Sequence, residues 1–345
     1  MTAVHQAVAG AGPYDAVSEQ ARAWRRLLSG AGHGGGDYAG QLAPGTDGFD
    51  ALARLEPDPE DLIVVRYSAW SPALGRLLEL PQRKLLIYHN ITPPGYLWHH
   101  SPPLAIQCAV GRMQLPAFAR GARVVTADSD FNAAELHAVG ADGVRVVPVL
   151  FERERLQLRG RAPEGDGPLV LVVGRLVPNK RHDRVFAAFA AYQRECEPNA
   201  RLLCVGTALD PRYAELMRSL AERSGARNVR LAGGLAQDAV NAAYAQADVL
   251  LTLSEHEGFC VPLLEAFHFG VPVVAAPAGA VPGVAGDAAL YTDGDHAVTA
   301  ELIDLAVRDS ELRAEVARRG RNRLAAFSYE RTAAAVREAL EEAIA

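Results

Sequence analysis

Lysine is almost missing from this 345-residue chain: only Lys84 and Lys180 occur, and the other 33 of its 35 basic residues are arginine. A GC-rich coding bias accounts for that, and it makes the position of each remaining lysine worth noting. Cysteine is scarce as well. Cys108, Cys196, Cys204 and Cys260 are scattered without CxxC or Cys/His ligand spacing, which argues against both a disulfide framework and a zinc site. No apolar run reaches the roughly 18 residues that a membrane span needs. The N-terminus shows no basic start followed by an apolar stretch, so no secretion signal is expected and the chain reads as cytoplasmic. A positive surface is missing too. The formal net charge of −6 argues against general nucleic-acid binding, which needs a basic face. It leaves room for a small anion, which a local cluster of cations can hold.

What is present is ordinary for a globular chain: 49% apolar and 22% charged residues, in a length that allows two separate cores. Short apolar runs at 4–8, 62–65, 84–88, 124–126 and 144–147 suit buried strands. A helix is expected over 18–28, with Ala21, Trp24, Leu27 and Leu28 on one face. Residues 29–50 are glycine-rich and aperiodic, hence loop or a poorly defined strand. Residues 159–168, rich in Gly, Pro and charge, make the best linker. Strands then alternate with helices: strand 169–173, helix 183–195, strand 201–205, helix 211–224, strand 229–232, helix 238–246, strand 248–253, helix 261–269 and strand 271–275. Such alternation means βαβ units and parallel sheets. Two sets flanking one linker imply an α/β protein of two doubly wound, Rossmann-like domains facing across a cleft. The expected division is 1–160 and 161–327, with a C-terminal helix over 328–345 returning toward the first domain. Ligands of such sheets bind at the carboxyl ends of the strands.

The strongest local signal lies at 254–265. Glu257 and Glu265 are eight residues apart, spanning a loop and the start of a helix. Free N–H groups and the helix dipole there favour an anion such as a diphosphate. Glu257 can accept from sugar hydroxyls, and Glu265, two turns in, can reach a ribose. Taken alone, two glutamates at this spacing are surface charge. Gly258 and Phe259, with the Gly-Val-Pro-Val-Val run from Gly270, change that reading.

The stretch resembles the E-x7-E signature of the family-4 glycosyltransferases, commonly EGFG-x-P-x-x-EA followed by G-x-PVV. Gly174-Arg175 with Lys180 is similar to the family's GR-(four residues)-K loop. Tyr88-His89-Asn90, residues 127–132 and 146–148 fit its N-terminal domain. The likeness covers about residues 60–330. It implies a GT-B fold and a retaining, glycogen-synthase-like hexosyltransferase that uses a nucleotide-sugar, UDP- or GDP-linked, without cofactor or catalytic metal. By that resemblance Arg175 and Lys180 clamp the donor diphosphate, His89 contacts the donor sugar, and Gly258, Phe259, Cys260 and Val261 line the donor site with Glu257 and Glu265. Cations placed in advance stabilise the charge that builds on a departing diphosphate. Cys260 departs from the family pattern, standing where the third-position glycine is usual, and His268-Phe269 replaces smaller residues.

Gly10 and Gly12 let the first loop approach a phosphate closely, since glycine carries no Cβ. Asp15 is a candidate contact to an acceptor or donor hydroxyl. Two DxD look-alikes, Asp128-Ser-Asp130 and Asp293-Gly-Asp295, imitate a metal motif; the first reads as a helix cap and the second as a turn. Arg22, Arg25 and Arg26 beside Trp24 offer contact to an anionic membrane, against the preferred reading of a solvated helix face. The expected partners are the nucleotide-sugar donor and a small-molecule, glycan or lipid-linked acceptor. Alternatives remain: a nicotinamide-dependent oxidoreductase, although Asp15 stands where a GxGxxG motif needs its third glycine, a non-catalytic sugar-nucleotide binding protein, and a sugar-nucleotide epimerase.

Overall fold

The computed structural model describes residues 2–158 and 165–345, so most of the linker at 159–168 lies outside the described residues. The described chain forms two compact units, one running to Phe151 and including Phe327–Ala345, the other Glu152–Ala326.

The first unit holds strands β1 (Val4–Val8), β2 (Asp37–Ala39), β3 (Asp50–Ala51), β4 (Leu62–Tyr67), β5 (Arg83–Tyr88), β6 (Val124–Ala127) and β7 (Arg145–Val146). They form one sheet in the order β3-β2-β1-β4-β5-β6-β7, with every recorded pairing parallel. Central β4 is buried along its whole length, as a strand covered on both faces must be. The aperiodic stretch 29–50 holds the short strand β2, within the loop or poorly defined strand expected there, and ends on the first residue of β3. Their cross-strand bonds, not their own pattern, make them strands.

Side chains alternate between two cores. Ile63, Val65, Tyr67 and Leu86 face one cluster. Leu62, Val64, Leu85, Ile87 and Val124 face the other, where Trp24, Leu27 and Leu28 of helix Ala16–Gly30 meet Val336 and Leu340 of helix Tyr329–Ile344. That last helix is capped by Ser328 and lies against β5 and β6. Arg123 reaches its end through Glu342 O at 3.0 Å.

The second unit holds β8 (Leu169–Val173), β9 (Arg201–Val205), β10 (Val229–Gly233), β11 (Val249–Thr252), β12 (Val273–Ala275) and β13 (Ala289–Tyr291), ordered β10-β9-β8-β11-β12-β13. Strand order reverses between β8 and β11. In a doubly wound sheet the carboxyl ends of the strands on either side of such a reversal are the usual ligand position.

Candidate donor-binding site

The loop after β8 begins at Gly174 (φ 150°) and carries an exposed Arg175. It continues through a single 3-10 turn, Pro178–Lys180, and reaches helix His182–Glu195 through Arg181 in the left-handed region (φ 51°). A Cβ on Gly206 would stand 2.0 Å from Gly174 O, so only glycine lets the loop after β9 press on this one.

The loop after β11 is tied to it side by side. Glu255 N donates to Asn179 O at 2.8 Å, and Asn179 Nδ2 donates to His256 O at 3.0 Å. Lys180 Nζ then meets Glu257 Oε1 at 2.5 Å, with Glu257 almost wholly buried. Burial works against the Lys180 charge, but the Glu257 carboxylate outweighs it and holds the ammonium above its ordinary value. Arg181 and Arg184 both pair with Glu255. Behind Glu257 the chain is close-packed: a Cβ on Gly279 (φ 58°) would meet Glu257 O at 2.3 Å, and Ala280 N donates to that same oxygen.

Buried Phe259 and Cys260 lead into helix Val261–Phe269. Cys260 caps it in the left-handed region (φ 76°), a conformation suited to the glycine that the resemblance expects there. The thiol is pushed up by burial, with Glu257 adding to the shift. The first turn of any helix leaves N–H groups without intrahelical partners. Gly258 and Val261 flank this start, where the helix dipole favours an anion, with Arg175 exposed on the loop after β8 and Lys180 paired with Glu257. Glu265 sits inside the helix. Burial raises its pKa against the opposing hydrogen bond from Tyr244 Oη to its Oε2, 2.8 Å long.

Strand parity organises the first unit's candidates. Gln6, Arg66, His89 and Asp128 share the face of Val4, Val64, Ile87 and Val124, because side chains two apart point the same way. His89 Nδ1 lies 2.7 Å from Asp128 Oδ2, and its Nε2 lies 3.2 Å from an Arg66 guanidinium nitrogen. Asp128 therefore does not cap the following helix. Ser129 does, accepting from Asn132 N, because Asp128 ends the strand parity and is drawn to His89. Asp295 of the other look-alike caps its helix, while Asp293 accepts from Asp295 N.

Asp15 also caps, accepting from Ser18 N and Ser18 Oγ at 2.7 Å, while Gly12 N donates to Ser18 Oγ. Gly10 and Gly12 lack positive φ, and a Cβ at either meets nothing closer than 3.6 Å. Nothing in the protein itself demands glycine at these two positions. Trp24 is buried and lies beneath Arg66, so it offers nothing to a membrane. Among the described residues no helix is long and apolar enough to cross a membrane, and no group of three His, Cys, Asp or Glu could hold a metal ion.

Sequence reading missed Asn179, Arg66 and the partnership of Asp128 with His89. The second of these had a visible signal, an arginine inside an otherwise apolar strand.

Residues 155–323 match the family described as glycosyl transferases group 1. The chain is 32% identical over 231 residues to the D-inositol 3-phosphate glycosyltransferase of Salinispora arenicola, which covers 63% of this chain and 51% of that protein. It is 29% identical over 300 residues to the GDP-mannose-dependent alpha-(1-6)-phosphatidylinositol monomannoside mannosyltransferase of Mycobacterium tuberculosis, covering 74% and 75%. It thus spans about half the length of the first relative. In fold it resembles sucrose-phosphate synthase from Thermosynechococcus elongatus, with a TM-score of 0.78 over 99% of both chains at 18% identity.

Proposed function

Residues 155–323 match the group 1 glycosyl transferases and the fold is like that of sucrose-phosphate synthase, and from these likenesses we propose that this chain is a GT-B glycosyltransferase that moves a sugar from a nucleoside-diphosphate donor to a hydroxyl acceptor with retention at the sugar carbon. The observation that carries this reading is the Lys180–Glu257 pair at the strand-order reversal, beside a helix N-terminus. Arg175, Lys180 and the N–H groups around Val261 stabilise the diphosphate as the glycosidic bond breaks. Glu257, with the backbone of Gly258 to Cys260, holds sugar hydroxyls, and Glu265 accepts from the ribose. His89 positions the sugar. The departing phosphate takes the acceptor proton on the same face, so the chain supplies no nucleophile and needs no metal or cofactor. The M. tuberculosis relative is named as GDP-mannose-dependent, which favours a GDP-linked donor, with UDP next. The acceptor is a small molecule, a glycan or a lipid-linked sugar.

Thermal shifts with UDP, GDP, dTDP, ADP and NAD identify the nucleotide, because a ligand of the native state raises its stability by RT ln(1 + [L]/Kd). Transfer from the matching sugar nucleotide should then survive EDTA. Arg175→Ala should weaken diphosphate binding more than about tenfold, as loss of a charged hydrogen bond does. Unchanged affinity in calorimetry removes Arg175 from the site. Binding without turnover, or donor consumed without any acceptor, overturns the transferase reading.

A further inference from the structure

Arg66, at the end of β4, is completely buried. Burial drags its guanidinium down to about 9, with Asp128 and Asp37 opposing. Its Nε donates to Gln6 Oε1 at 2.9 Å, and its plane lies 4.7 Å from the Trp24 ring. Gln6 donates in turn to Asp37 Oδ1 at 2.8 Å, and Arg25 closes the row on Asp37 at 2.7 Å. The row runs across β2, β1 and β4 to His89 and Asp128 beyond β5 and β6. A buried charge carries a desolvation cost that its partners must offset, and an apolar side chain of similar volume would fill the same space without that cost.

The arginine does one thing an apolar residue cannot. A guanidinium has donors only, so His89 Nε2 must accept from it, and the imidazole proton must sit on Nδ1. An ionised Asp128 accepts that proton's hydrogen bond. Between an obligatory donor and an obligatory acceptor, the ring has one tautomer and one orientation. Both nitrogens are then engaged within the protein.

We propose that Arg66 is a positioning residue for sugar transfer: it fixes His89 as the Nδ1–H tautomer and removes the imidazole as a base. The role in transfer rests on the function proposed above; the tautomer does not. With Nε2 occupied, His89 shapes the sugar's surroundings and takes no proton from the acceptor, which leaves that proton to the departing phosphate.

Long-range proton–nitrogen spectra of histidine-labelled protein read the tautomer, with His89 assigned by the signal that His89→Gln removes. The wild type should carry the proton on Nδ1. Arg66→Met should move it wholly or partly to Nε2, and Arg66→Lys should restore part of the wild-type pattern. In transfer assays Arg66→Met should lower kcat by at least about tenfold, with affinity for GDP or UDP unchanged within about twofold. Protonation on Nε2 in the wild type overturns the proposal, and that measurement needs no variant to fold. An unchanged tautomer or an unchanged kcat in folded Arg66→Met overturns it as well. Should the chain transfer no sugar at all, the spectra still decide the tautomer, so the two failures are told apart.

Discussion

Glu257 and Glu265 belong to one sequence motif but sit in different surroundings. Glu257 lies against the Lys180 ammonium, whereas Glu265 is buried beside a phenol. Glu257→Gln keeps the size and removes the charge that favours an oxocarbenium-like carbon. The transfer rate should fall at least about a hundredfold, near 2.7 kcal/mol of barrier, with little change in binding of the bare nucleoside diphosphate. Glu265→Gln should do the reverse, weakening the nucleotide through its ribose. Steady-state rates and diphosphate affinities of the two variants check this; small, equal effects would undo the motif assignment.

His182, two residues after Lys180, has both ring nitrogens buried without a hydrogen-bond partner, and burial with the Lys180 charge lowers it to about 4. The unfolded chain binds this proton first as pH falls. Stability is therefore intact above about pH 6.5 and is lost toward pH 4, by about 2 kcal/mol at pH 5. His182→Phe should flatten that part of a urea-denaturation series between pH 7 and 4.5.

At the scale of elements, the helix Ala16–Gly30 depends on Asp15, whose carboxylate is already committed to Ser18. Asp15→Ala should cost about 1 kcal/mol of stability, and Asp15→Ser much less. If turnover of both variants follows their stability, Asp15 is a cap. A large loss of turnover in the stable Asp15→Ser variant would return it to the site. Elements with a strong local signal, such as the unbroken apolar run of β8 and the motif-bearing helix Val261–Phe269, were legible because local pattern and tertiary role agree. Short β2 and β3 were not, since three- and two-residue strands carry too few side chains to show a period.

At the scale of the molecule, the last helix completes a core formed by the first 150 residues. Its Val336 and Leu340 are buried with Trp24 and Leu28. Deleting residues 329–345 should expose that core and cost at least about 4 kcal/mol, from two large side chains and several alanines. The melting transition of the first unit should drop by about 10 °C. Nucleoside diphosphate binding by the second unit should persist, which calorimetry on the truncated chain checks.

The sequence by itself determined the alternation of strands and helices and the doubly wound class, and it marked the candidate donor loops, because each is carried by residues adjacent in the chain. Lys180 and Glu257 were both visible as candidates for that reason, though not their contact. Only the tertiary structure decided what spans strands. Gln6, Arg66, His89 and Asp128 come from four separate segments, and hydrogen bonding across a parallel sheet brings them into one row. It also decided that Trp24 lies under a guanidinium instead of facing outward, and that Asp128 serves His89 while Ser129 caps the helix. Local pattern records which face a residue takes. Which charged partner waits on that face depends on strand order, and strand order is set by packing distant segments together.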